Sequence, residues 1–145
     1  MAEINFEVNN LTNSRVDKGF LERVGKKILE TLSFSRLGIG EISLAIVGDK
    51  RIRTLNKKYR RRNQVTDVLA FDYGEIFICL PQAKSQAKKL GHSLKEELAI
   101  LLIHGLLHLS GYSDETKKDY NKMVKAQEKI FAEIKNKIQK TKYTY

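Results

Sequence analysis

Along this chain of 145 residues the spacing of apolar positions changes several times, and each change marks an element. Ile4, Phe6 and Val8 alternate with polar residues, which predicts a first strand; Phe20, Leu21, Val24, Ile28 and Leu32 then recur at helical spacing. Gly38 and Gly40 flank a loop, after which Ile42, Leu44 and Ile46 alternate as a second strand ending at Gly48-Asp49. Asp49 can cap a helix that carries Ile52, Leu55 and Tyr59 inward. Asp-Val-Leu-Ala-Phe (67–71) and Glu-Ile-Phe-Ile-Cys-Leu (75–80) read as two further strands, joined as a hairpin by Asp72-Tyr73-Gly74. Pro81 suits the first turn of the next helix and Gly91 its end. Ser93-Leu94-Lys95-Glu96 is a capping box, and the helix it starts is apolar from Leu98 to Leu109 except at His104, Gly105 and His108. A last helix, beginning near Ser113, carries Tyr120, Met123, Val124, Ile130, Phe131, Ile134 and Ile138 at helical spacing.

With no repeat, linker or break in composition, these elements predict one compact α/β (α+β) domain over residues 1–145. It should have a small mixed sheet of about four strands and about five helices around a central apolar helix. The single cysteine, Cys79, excludes a disulfide framework and a Cys-rich metal site. The first residues, MAEINFEVNN, lack a basic segment followed by an apolar one, and the longest apolar run is too short for a bilayer. The expectation is a cytoplasmic protein with no membrane partner.

Charge sharpens the picture through its placement. The formal net charge is +10, and eight of the thirteen residues from Lys50 to Arg62 are basic while none is acidic. Such a run can track phosphates, or it can be a solvated helix face.

The two histidines pose the chemical question. Residues four apart share one helix face, so His104 and His108 can turn both rings toward one cation; alternatively they are satisfied core histidines. Gly111 permits a turn, and Asp114 follows in the order H-x-x-x-H-x-x-G-x-x-D, so its carboxylate can complete a His, His, Asp set around one zinc ion. It can equally serve at the start of the last helix, where Ser113 would cap and Asp114 and Glu115 would meet the helix dipole. His92, just before the capping box, reads as a loop histidine. Gly105 occupies the place where the H-E-x-x-H motif of zinc proteases has its general base, and Glu96 and Glu97 lie about two turns away, which disfavours a metallopeptidase.

At these residues the chain resembles the YbeY family of bacterial rRNA maturation factors, single-domain metal-dependent endoribonucleases. HGLLHLSGY followed by Ser113-Asp114 is similar to the family's H-G-x-L-H-L-x-G-Y-D-H, with Asp114 at the position of the third histidine. LNKKYRRRNQVTDVLAF resembles L-N-x-x-Y-R-x-K-D-x-x-T-D-V-L-S-F, and MVKAQEKI continues the likeness on the last helix. Arg62-Asn63 stands where the family has Lys-Asp, and the short Asp72-Tyr73-Gly74 turn replaces a longer loop that begins with Pro.

The resemblance implies a metal-dependent, single-strand-type endoribonuclease acting on ribosomal RNA precursors in rRNA processing and ribosome maturation. Zinc would be held by His104, His108 and Asp114, with a zinc-bound water near pKa 7 as nucleophile or base. Arg60 matches the family's functional arginine, and its planar donor fork suits the charge that develops on nonbridging phosphate oxygens. Lys57, Lys58, Arg61 and Arg62 would bind the RNA. The expected partners are a ribosomal RNA precursor and a ribosomal subunit or ribosome-associated proteins, with no nucleotide cofactor. A ribosome-associated RNA-binding factor with weak or absent metal-dependent catalysis is the alternative.

Overall fold

The computed structural model describes residues 4–34 and 40–142, with the side chains of the last helix as far as Asn136. Strand β1 (Asn5–Asn10) is followed by α1 (Lys18–Thr31), β2 (Glu41–Val47), α2 (Asp49–Arg60), β3 (Val68–Phe71) and β4 (Glu75–Cys79). Three helices complete the chain: α3 (Leu80–Leu90), α4 (Leu94–Ser110) and α5 (Lys117–Lys142). The expected mixed sheet has the order β1-β2-β4-β3, with β1, β2 and β4 parallel and β3 antiparallel to β4. Gly38 lies outside the described residues, as does the side chain of Ile138.

Alternation assigns the two faces of the sheet. Phe6, Val8, Ile42, Leu44, Ile46, Ile76 and Ile78 project into the main core beneath α1 and α4. Val47, Leu69, Phe71 and Cys79 project the other way, against Ile52 and Leu55 of α2. The α4 helix is central: it packs on α1, α3, α5, β3 and β4, and from Leu98 to Leu109 only Ile100 and the two histidines are not fully buried. Each of its buried leucines contributes on the order of 2 kcal/mol.

The ends of the helices show how local chemistry sets the boundaries. Asp17 caps α1, its carboxylate accepting the Phe20 N–H at 3.0 Å. Ser93 caps α4 by accepting the Glu96 N–H at 3.1 Å, and its hydroxyl donates to the Glu96 carboxylate at 3.2 Å. Gly91 and Gly111 end α3 and α4 in the left-handed region, at φ 72° and 117°.

Four expectations need correction. Gly48, not Asp49, is the N-cap of α2; Asp49 sits in the first turn, where its carboxylate accepts from the Cys79 thiol at 3.2 Å. Tyr59 is half exposed, and Asn56 is buried in its stead, donating to the Gln64 carbonyl at 3.0 Å. The Tyr59 ring meets Phe71 of the edge strand β3 edge-on, with centroids 5.2 Å apart, and is otherwise open to solvent. The last helix starts at Lys117, where the Thr116 hydroxyl accepts the Asp119 N–H, while Ser113 accepts from Glu115 within the preceding turn. Tyr120 is exposed, and Met123, three residues on, is the first residue of α5 to be buried in the core.

At Gly105 the backbone of α4 runs close to Ile76 of the sheet. A Cβ added there would lie 2.9 Å from Cγ2 of Ile76, too close without movement of β4 or α4. Gly105→Ala should therefore destabilise the chain by about 1 kcal/mol, an overpacking cost of about 1–3 kcal/mol partly offset by about 1 kcal/mol of helix propensity. Thermal unfolding should show a Tm lower by about 2–4 °C, and adding Ile76→Val should recover it. A Gly105→Ala chain as stable as the wild type would mean that the contact relaxes freely.

Candidate active site

Near its C-terminal end α4 presents His104 and His108 on one face, both half-buried, with ring centroids 4.7 Å apart. Their Nε2 atoms are 3.2 Å from each other. Two nitrogens on a tetrahedral ion at about 2.0–2.1 Å would be about 3.3 Å apart. The Gly111 turn, with the Gly111 N–H donating to the His108 carbonyl and the Tyr112 N–H to that of Leu107, brings the chain back across the helix end. Asp114 is thereby placed with Oδ2 3.8 Å from His108 Nε2, and the three ligand atoms of His104, His108 and Asp114 lie within 4.8 Å of one another. Two imidazoles and a carboxylate, gathered at one point, suit zinc in kind and in number and leave a fourth position open.

A glutamine on α5 prepares this arrangement. His104 Nδ1 lies 3.0 Å from Gln127 Oε1, an oxygen that can only accept, so the contact suits the tautomer with its proton on Nδ1, the one that offers Nε2 to a metal. Gln127 is the polar member of the stripe by which α5 packs on the core, between Met123 and Ile130. Sequence reasoning passed over it, although a lone amide within an apolar helical stripe was the available signal.

Electrostatics act in the same direction at His108. Burial pushes its pKa below the ordinary imidazole range, the neighbouring His104 and the positive charge of Arg60 add to that, and Asp114 opposes them. The ring is thus kept neutral, the form that ligates metals.

Arg60 ends α2 and reaches the sheet, where Nη2 donates to the Ala70 carbonyl at 2.8 Å and Cζ stands 5.5 Å from the centre of the Phe71 ring. Its side chain is exposed, so it is anchored without being enclosed. Lys57, Lys58, Arg61 and Arg62 are exposed around the same helix end, and Arg61 adopts a left-handed backbone, φ 58°, that turns the chain out of α2. Asn63 accepts from Arg53 Nε at 2.9 Å.

A cavity of about 350 Å³ opens beside His104 and includes Glu97 and Gln127 in its wall. Glu97 is almost wholly buried and lies 2.7 Å from His92 Nε2, so the loop histidine has a specific carboxylate partner. Cys79 offers no nucleophile, because burial pushes its thiol up to about 12.

Residues 7–135 match the family model described as Endoribonuclease YbeY. The chain belongs to the YbeY family. A Sulfurihydrogenibium protein named Endoribonuclease YbeY is 38% identical over 134 residues, spanning 84% of this chain and 86% of that protein. One of the same name from Persephonella marina is 34% identical over 147 residues, spanning 92% and 94%. A Thermotoga maritima protein of known solution structure superposes with a TM-score of 0.58 at 27% identity, covering 91% of this chain and 93% of that one.

The structure brings the possible ligand atoms of His104, His108 and Asp114 together, with Asp114 half exposed. Elemental analysis after zinc loading should find about one ion per chain, lost in His108→Ala. Asp114→His should tighten zinc binding, because an imidazole would replace an exposed carboxylate. A folded wild type that stays metal-free, or an Asp114→His chain with unchanged affinity, would contradict this ligand set.

Proposed function

We propose that the chain is a metal-dependent endoribonuclease that acts on ribosomal RNA precursors, working over its whole length as one catalytic domain. The observation that carries this reading is the convergence of His104, His108 and Asp114, with the anchored guanidinium of Arg60 near enough for its charge to act on His108. These three residues would hold a single ion, and the two-imidazole, one-carboxylate donor set favours zinc. When bound, the ion supplies Lewis acidity and lowers the pKa of water to near neutrality.

The chain's own residues have distinct parts. Gln127 fixes the His104 ring so that its lone pair points to the ligand site. Arg60 binds the nonbridging oxygens of the scissile phosphate. Its bond to Ala70 orders the guanidinium beforehand, so less freedom is lost when charge develops on those oxygens. Lys57, Lys58, Arg61 and Arg62 neutralise flanking phosphates and hold the strand in register. The substrate places the protein in the cytoplasm, with a ribosomal subunit or ribosome-associated proteins as partners.

One observation favours the RNA-binding factor with weak or absent catalysis: Asp114, standing for a histidine, is 52% exposed. Metal content measured together with cleavage of a structured RNA separates the two, since only the nuclease reading requires both.

Arg60→Lys should keep the fold and most of the RNA affinity but lower turnover about 10- to 100-fold, because lysine retains charge and loses the fork. Wild-type turnover in that variant would reduce Arg60 to an ordinary member of the basic cluster. Neutralising Lys57 and Lys58, or Arg61 and Arg62, should weaken binding to many RNAs alike. Each lost phosphate contact should flatten the slope of log affinity against log salt by about 0.7–0.9. A salt titration giving the wild-type slope would leave the basic segment a solvated face.

A further inference from the structure

Beside Arg60 lies a group of aromatic rings to which the reaction as described gives no part. Phe71, at the end of β3, is buried and is surrounded by three other rings: Tyr59 meets it edge-on at 5.2 Å, Phe77 edge-on at 6.0 Å, and Tyr73 lies parallel to it, 9° from coplanar at 5.7 Å. Tyr59 and Tyr73 are exposed, at 49% and 61%, while Phe77 is partly buried. The cations are interleaved with the rings, with Arg60 over Phe71 and Lys58 Nζ 5.2 Å from the centre of Tyr59.

The Tyr73 ring is held in place. The Asp72-Tyr73-Gly74 turn is closed by the Gly74 N–H donating to the Phe71 carbonyl at 2.9 Å, with Gly74 at φ 108°, a conformation that suits glycine. The Tyr73 hydroxyl donates to Glu75 Oε2 at 3.4 Å. One face of the ring therefore rests on Phe71 and the other faces water. An exposed, braced aromatic face is an unusual expense for a turn that serves only to join two strands, where a small polar residue would suffice.

We propose that Tyr73 and Tyr59, supported by Phe71, form a stacking platform for unpaired bases of a single-stranded RNA segment whose phosphates are held by Arg60 and the basic end of α2. This rests on the reading that RNA is the substrate. The occupant follows from charge and shape together. The thirteen residues from Lys50 to Arg62 carry eight cations and no acid, which calls for a polyanion, and flat rings among cations suit nucleobases strung along a phosphate backbone. Because Phe71 lies under both Tyr73 and the Arg60 guanidinium, a base stacked on Tyr73 belongs to a nucleotide adjoining the phosphate that Arg60 binds. Duplex RNA keeps its bases stacked inside the helix and cannot use the platform. The site thus selects an unpaired segment next to the cleaved bond.

The test is binding of the full-length chain to a 2′-deoxy oligonucleotide, which has no 2′-hydroxyl to support cleavage through that group, offered single-stranded and annealed to its complement, over a range of salt. Tyr73→Leu, which keeps an apolar cover over Phe71, should lose about 5- to 100-fold in affinity for the single strand. Its duplex affinity and its salt slope should remain those of the wild type, whereas loss of a phosphate contact would alter both. Tyr73→Phe should retain wild-type binding. Tyr59→Leu should act in the same direction and serves as the second variant should Tyr73→Leu fold poorly. Equal binding by wild type and both leucine variants, or equal losses for single strand and duplex, would overturn the platform. A chain that shows this pattern but cleaves no RNA would sink the nuclease reading alone; one that cleaves RNA while the leucine variants bind normally would sink only the platform.

Discussion

Most of α4 is buried, and between Leu98 and Leu109 only the stripe of Ile100, His104 and His108 is partly open, so a polar side chain there has limited access to water. The two imidazoles on that stripe take partners from the protein and face one another. His104 has Gln127 on one nitrogen and the nitrogen of His108 opposite the other. Two features of the architecture meet there: α5 carries an amide among its core residues, and the chain turns at Gly111 to bring back a carboxylate.

Charge is divided across the molecule in a way that fits one substrate. Around the histidines the protein lowers the proton affinity of His108 through burial and the proximity of positive charge. At the end of α2 it concentrates cations on an exposed surface, where desolvation costs little and long-range attraction is strong. Arg60 belongs to both regions. It is exposed like its neighbours yet tied to the Ala70 carbonyl and laid over Phe71, so it is the cation of the cluster with the least freedom to lose. That the same phenyl ring supports Tyr73 connects the basic segment to the hairpin turn that replaces the family's longer loop.

The expectations that failed share a physical cause. Tyr59 and Tyr120 lie on the right helical faces by spacing, but periodicity gives direction without saying how far the neighbouring element extends. Both rings are about half exposed, Tyr59 although it meets Phe71 edge-on. Asn56 was missed for the converse reason: its amide is buried because the Gln64 carbonyl happens to need a donor there. Ser113 was a reasonable cap for α5, yet the three residues that follow it are spent on the turn that returns Asp114 to the histidines, and the helix waits for Thr116.

Short-range patterns in the sequence determined the order of the elements, the hairpin, the capping of α4 and the spacing of His104, His108 and Asp114, since each depends on residues within a few positions of one another. The sequence alone also determined the concentration of cations between Lys50 and Arg62. Tertiary structure decided the pairings between elements: Gln127 of α5 with His104 of α4, and Arg60 of α2 with Ala70 and Phe71 of β3, which brings the basic helix end beside the ring that Tyr73 stacks on. Local periodicity specifies which way a side chain leaves its own element. What it meets there depends on the crossing of whole helices and strands, and that is settled only when the core packs.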